Sequence, residues 1–248
     1  MMKFNTKSMT SLLAIAFTAP SIAEEKTPDP ADLTATNRSA YVALNNKGGF
    51  KGSISGDMSF ENGQTGMFTL EAAMDRDGKY SDSRFQYFHV IPNDSKILPR
   101  YAASLDVIDN TLFTSVSPGV TLAIDSGVKG LNIFPRAGAL AGKLSDDLKS
   151  VSNSNDDFAY GGSAALYIFY TAGKDGTYFG FFPEYNYLSG DVDVSVLNTN
   201  FVMSTPFSQD RTRWGQIKVT NTNTKISNSS IDESMNDTVV WANYKFYF

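Results

Sequence analysis

The feature that most constrains the fold of this chain is a two-residue alternation of apolar and polar side chains. Across residues 50–61, apolar or small residues take every second position from Phe50 to Phe60, and Lys51 and Asp57 lie among the polar positions between them. A β-strand places successive side chains on opposite faces, whereas a helix would mix these two sets. The segment is therefore predicted to be a strand with one apolar face and one polar face.

The same alternation recurs over 67–75, 100–107 and 178–187, in segments that clusters of turn residues separate from one another. Short turn clusters lie at 61–64, 92–95, 125–129, 174–176 and 207–210, and longer polar segments lie at 143–157 and 221–237. If the first strand covers about 39–46, twelve strands result, and every short turn follows an even-numbered strand. Ten strands remain the alternative, because residues 111–136 contain Pro118 and Pro135 and are hard to divide. Residues 137–151 are the best helical candidate.

The first 23 residues have the pattern of a secretory signal peptide. Lys3 and Lys7 precede an apolar stretch over residues 12–19, and Ser21 to Ala23 form a small-x-small cleavage site. We therefore predict cleavage near Ala23. Residues 24–38 hold two prolines and show no apolar period, so they are predicted to be a flexible periplasmic lead-in to a barrel over 39–248.

Composition excludes several classes of function. The chain has 0 cysteines, which removes thiolate metal sites and cysteine nucleophiles, and its net charge of −5 without basic clusters argues against nucleic acid as a partner. No metal site and no cofactor are predicted. Aromatic residues make up 13% of the chain although its mean hydropathy is −0.22. That pairing is typical of strands with one apolar face and one polar face.

The last twelve residues carry the second specific signal. Tyr244, Phe246 and Phe248 share one face of the predicted closing strand, with mostly apolar residues at every second position before them. Such a strand resembles the C-terminal sorting strand of Gram-negative outer-membrane β-barrels. The resemblance implies an all-β, antiparallel transmembrane barrel in the cell outer membrane, with membrane lipid and the barrel-assembly machinery as partners. The alternative is a soluble secreted β-sandwich that ends in an aromatic strand.

In a bilayer, a sheet must close on itself so that every backbone group is paired, and its apolar faces must meet lipid. The polar faces then line the interior, and aromatic residues near strand ends form interfacial girdles. The predicted inward set, of mixed charge, is Lys51, Asp57, Glu61, Glu71, Asp75, Arg84, Arg100, Asp106, Glu184, Lys218 and Lys245.

Mixed interior charges admit two functions: a narrow porin-like channel for small solutes with weak ion selectivity, or a closed barrel whose charges pair as salt bridges. Surface binding by the closed barrel is a third hypothesis. A lipid-modifying hydrolase is a fourth, but the single histidine, His89, falls by alternation on the lipid-facing side or near a strand end. The sequence thus favours a barrel that is not an enzyme, and it leaves the oligomeric state open.

Overall fold

Twelve antiparallel strands and one short helix follow one another in the computed structural model, which describes residues 27–35, 37–152, 154 and 156–248. The predicted signal peptide lies outside the described residues, so its cleavage stays a prediction. The elements are β1 (Ser39–Asn45), β2 (Phe50–Ser59), β3 (Thr65–Met74), β4 (Tyr80–Pro92), β5 (Arg100–Asp109), β6 (Phe113–Asp125), β7 (Leu131–Leu144), α1 (Asp146–Ser152), β8 (Phe158–Thr171), β9 (Tyr178–Ser189), β10 (Asp193–Pro206), β11 (Arg213–Ser227) and β12 (Asp232–Tyr247).

Each strand pairs with the next one along the chain, and β1 pairs with β12 in the register Ser39↔Tyr247 to Asn45↔Trp241. The sheet is therefore a closed barrel without a free edge. The predicted all-β antiparallel barrel of twelve strands is confirmed. Among the described residues, no helix has both the length and the apolar character needed to cross a membrane.

The two ends of the barrel differ. The N/C end carries the first described residues, 27–35, the C-terminal residue Phe248 and the connections 60–64, 93–99, 126–130, 172–177 and 207–212, so every predicted short turn lies there. Gly63 adopts the left-handed backbone (φ 79) that its turn requires. The opposite end, which we call the helix end, carries α1 and connections that, outside 145–157, have five residues or fewer.

Two predictions for the helix end are wrong. Residues 221–237 are not a loop, because β11 and β12 stay paired up to Ser227↔Asp232 and polar side chains bond across them, as Asn221 Nδ2 does to Asn236 Oδ1 at 2.9 Å. Residues 137–144 are not helical either; they end β7, and only Asp146–Ser152 form the helix. Pairing of β7 with both neighbouring strands overrides the local helix propensity of its Ala and Leu residues.

The two prolines that blurred the sequence pattern disturb the same ladder. Pro118 lies in β6 and Pro135 in β7, and the β6–β7 pairing is interrupted at both positions. Pro118 still lies opposite Leu105 of β5, and Pro135 opposite Leu166 of β8. Since proline cannot donate a backbone hydrogen bond, the two interruptions let it enter a closed sheet.

The outer surface carries the large exposed apolar side chains, while two clusters of buried residues fill parts of the lumen. The apolar faces of the strands point outward, as Leu70, Phe181 and Ile217 illustrate. The helix-end cluster comprises Phe113, Leu140, Leu144, Leu148, Ala159, Leu188, Val192, Val194, Val196 and Ile226. The N/C-end cluster comprises Ala31, Ala123, Phe134, Tyr167, Phe169, Tyr178, Val202, Trp214 and Tyr247.

Candidate functional site in the barrel lumen

The centre of the lumen is crossed by a salt bridge from Arg84 of β4. Its guanidinium donates to Asp106 of the neighbouring β5 through Nε (2.9 Å) and Nη2 (2.6 Å), and to Glu184 Oε1 through Nη2 at 3.0 Å. Glu184 belongs to β9, which lies five strands from β4 around the barrel. The Arg84–Glu184 contact therefore spans the interior and narrows it, and bidentate pairing with Asp106 fixes the arginine on the wall.

Other charged and phenolic groups surround this bridge. Tyr167 donates its hydroxyl to Glu184 Oε1 at 2.6 Å, and Tyr41 donates to Glu71 on the opposite wall. The Lys218 ammonium lies 5.3 Å from the centroid of the Phe182 ring. The site thus holds carboxylates and cations close together, with each carboxylate accepting at least one hydrogen bond.

A cavity of about 300 Å³ lies on the N/C side of the bridge. Its polar lining includes Glu71, Arg84, Glu184, Lys218 and Lys245. We call it the chamber. Because its walls carry both signs of charge, it can surround a small polar solute without strongly favouring one ionic sign.

A continuous series of six contacting rings, five of which line the chamber, forms what we call the aromatic row. Neighbouring rings have centroids 5.8–6.4 Å apart, within the range of favourable aromatic contacts. In order, the row is Tyr167, Phe182, Phe169, Tyr178, Trp214 and Tyr247.

The N-terminal segment lies against the chamber towards the N/C end. Ala31 is only 1% exposed and packs in the N/C-end cluster with most rings of the aromatic row. Asp32 pairs with Arg100 Nη2 at 3.1 Å, and the Ala31 carbonyl accepts a hydrogen bond from Asn132 Nδ2 at 3.1 Å. The described part of the predicted flexible lead-in therefore lies in the barrel mouth, because Ala31 finds an apolar pocket there and Asp32 finds a cation.

All nine candidate pore residues lie on inward positions of their strands, but their partners differ. Lys51 pairs with Asp82 at 3.1 Å, and Asp57 pairs with Arg38 at 3.4 Å. Lys245 lies 5.0 Å from the centroid of the Tyr247 ring. Around the chamber and the bridge the structure brings together Glu71, Arg84, Asp106, Glu184, Lys218 and Lys245. Lys51 lies towards the helix end, and Asp57 and Arg100 lie at the N/C end.

The remaining two residues of the predicted inward set do not line the lumen. Glu61 lies in the turn 60–64, and Asp75 lies in the connection 75–79. There the Asp75 carboxylate accepts hydrogen bonds from the backbone N–H groups of Asp77 and Lys79, each at 2.9 Å. The alternation was extended past the ends of the strands, where it no longer determines side-chain direction.

Sequence reasoning missed one buried charge, Arg136 of β7. Its side chain donates to Ser104 Oγ (3.1 Å), Ser163 Oγ (2.9 Å) and both the carbonyl (2.9 Å) and Oγ (3.0 Å) of Ser117. Within the described ranges no carboxylate lies within 4 Å of it. The sequence does show an arginine followed by mostly small residues over 136–142. Pro135 obscured the strand pattern at this point, so the inward direction of Arg136 was not predicted.

The assembly-strand residues and His89 all lie on the outer surface. The rings of Tyr244, Phe246 and Phe248 follow one another with centroids 6.5 Å apart. His89 Nε2 lies 2.7 Å from Gln64 Oε1, and its Nδ1 lies 3.1 Å from the Tyr87 hydroxyl. The histidine thus lies near the N/C end among neutral groups.

The part of the chain that the structure describes contains no group of three or more His, Cys, Asp or Glu side chains that could hold a metal ion. The hydrogen-bonding and charged side chains of the lumen can attract, orient and select solutes.

Solved structures similar to this barrel include porins. The NanC porin matches with a TM-score of 0.57 and 11% identity, covering 85% of this chain and 100% of that chain. The KdgM porin matches with a TM-score of 0.52 and 13% identity, covering 86% of this chain and 99% of that chain. A second KdgM porin structure, in complex with disordered oligogalacturonate, also has a TM-score of 0.52, at 12% identity and with the same coverage. Neither protein-family models nor curated protein sequences give a match. The likeness shows a shared fold.

Proposed function

We propose that this chain is a porin-like channel of the bacterial outer membrane for small solutes, with the Arg84–Glu184 bridge as its constriction. The observation that carries the proposal is a porin-type barrel of twelve strands whose interior holds a chamber lined by charged side chains. In this proposal, the pore residues predicted from the sequence line the channel on both sides of the constriction. No enzymatic role is proposed.

Water reaches the charged wall, as a channel requires. The Arg84 side chain retains 23% of its exposure although it lies between two carboxylates, and those of Lys51 and Asp82 retain 20% and 37% towards the helix end. Solvent-accessible charged surface thus lies both at the bridge and towards the helix end, and the chamber lies on the N/C side of the bridge.

Charge balance indicates which solutes would pass. Three acids, Glu71, Asp106 and Glu184, face three bases, Arg84, Lys218 and Lys245, around the chamber and the bridge. One KdgM porin structure contains an oligogalacturonate, an acidic chain. The balanced wall of the present barrel suits uncharged or weakly charged small solutes instead, with weak selectivity between ions.

The location and assembly route belong to the same proposal. Cleavage near Ala23 would release the chain into the periplasm, and the outward rings of Tyr244, Phe246 and Phe248 would be read by the assembly machinery. Deleting Phe248 should strongly reduce the heat-modifiable protein recovered in outer-membrane fractions. The matched control is Tyr247→Phe, which removes an inward hydroxyl that has no hydrogen-bond partner within the described part of the chain. Equal losses from both changes would argue against a sorting role for Phe248.

The channel itself is tested in planar bilayers. Purified protein should give small, stable conductance steps with similar permeabilities for cations and anions. A closed structural or surface-binding barrel is the second candidate, because Arg84 is paired with two carboxylates and apolar clusters fill part of the lumen. A barrel that does not conduct, even without the residues in its N/C mouth, would favour this candidate.

A further inference from the structure

We propose that residues 27–35 form a plug that closes the N/C mouth and must leave it before solute can pass. The inference rests on the proposed channel function. The first observation is the position of the segment: Pro30, Asp32, Leu33 and Thr34 form part of the chamber wall. Any solute that moves between the chamber and the N/C end must displace them.

A buried alanine joins the plug to the wall behind it. Ala31 is 1% exposed and packs in the N/C-end cluster with most rings of the aromatic row. Ala123 and Phe134 belong to the same cluster. The plug therefore covers the aromatic row, the part of the chamber best suited to contact the apolar face of a solute.

Two polar contacts hold the plug in this position. Asp32 pairs with Arg100, and Asn132 donates to the Ala31 carbonyl, so the segment is tied to the first residues of β5 and β7. Asp32 also accepts a hydrogen bond from the backbone N–H of Thr34 at 2.9 Å, which fixes the turn of the plug. The Asp32 and Arg100 side chains keep 19% and 38% exposure, and such partly solvated pairs are weak. The contacts therefore position the plug without locking it.

Thiol labelling tests whether the plug is seated, since the chain has 0 cysteines of its own. Ala31→Cys should react with a hydrophilic maleimide at least about tenfold more slowly than Val151→Cys, because a docked residue must open locally before it reacts. Val151 lies in α1 and is 72% exposed. Adding Asp32→Asn to Ala31→Cys should speed its labelling, whereas adding Asp94→Asn, the same charge change in the turn 93–99 of that end, should not. Equal labelling rates for the Ala31→Cys and Val151→Cys variants in the folded barrel would overturn the plug.

Closure is tested by deleting residues 27–35 while residues 1–26 are kept. The deletion should raise the fraction of time that each channel is open at least about threefold and speed the labelling of a thiol introduced in the chamber by Thr69→Cys. A conducting wild type whose open fraction and chamber-thiol labelling are unchanged by the deletion would overturn the plug. If neither protein conducts, the proposed channel fails. In that case faster labelling of the chamber thiol after the deletion still supports the plug, and unchanged labelling overturns it.

Discussion

Arg84 and Arg136 both lie inside the barrel, yet their surroundings differ in kind. Arg84 faces two carboxylates, one of them across the lumen, and keeps 23% of its side-chain exposure. Arg136 is 6% exposed and is held by three serines of the strands around it. The first arginine lies where solute would pass, and the second lies within the packed wall.

Small residues explain how the wall holds a whole guanidinium. A Cβ on Gly138 would lie 2.9 Å from Ser117 Oγ and 3.1 Å from Ser163 Oγ, so only glycine leaves both hydroxyls where they are. Those hydroxyls are two of the four acceptors that Arg136 uses. The charge of Arg136 is therefore stabilised by neutral dipoles, whereas the charge of Arg84 is balanced by ions. The comparison teaches that one barrel holds a cation packed among neutral groups and, separately, a cation paired with carboxylates in the proposed solute path.

The largest expected effect concerns stability. Arg136→Met should lower the free energy of unfolding by roughly 3 kcal/mol, because it leaves buried serine groups without their donor. Arg84→Met should cost still more, about 5 kcal/mol, because it leaves Asp106, whose side chain is 5% exposed, and Glu184 without their cation. Urea unfolding of the barrel in lipid vesicles, followed by the fluorescence of Trp214 and Trp241, measures both.

The stabilities of the Arg136→Met and Arg84→Met variants test whether the two arginines have different roles. If both variants lose the same stability, the two arginines do the same structural work, and the distinction between wall and lumen is wrong. A stable Arg136→Met barrel would show that the serines find other partners when the guanidinium is gone.

The contrast also shows how far the sequence could predict this molecule. Alternation over β2, β3 and β5 predicted the strands and the inward position of charges such as Glu71 and Asp106, because side-chain direction in a strand is a local property. It did not predict Arg136, since Pro135 interrupts the local pattern. It also did not predict that Arg84 would meet Glu184, because that contact depends on how twelve strands close. The segment 27–35 has no strand pattern, so its place in the mouth followed only from tertiary packing.

The smaller expected effect is on ion selectivity, and it separates the two arginines by function. Arg84→Gln and Glu184→Gln each break the bridge across the lumen, so both should raise single-channel conductance. They should shift the cation-to-anion permeability ratio in opposite directions, by about twofold, because one removes a positive wall charge and the other a negative one. The double variant should keep the higher conductance with a ratio close to that of the wild type.

Arg136→Gln provides the matched control, since it removes the same charge from the wall and not from the path. Its permeability ratio should stay at the wild-type value even if the barrel is less stable. Reversal potentials in a salt gradient across a planar bilayer measure all four variants. A shift for Arg136→Gln as large as that for Arg84→Gln would mean that the solute path runs along the serine-lined wall of β5–β8 and not beside the Arg84–Glu184 bridge.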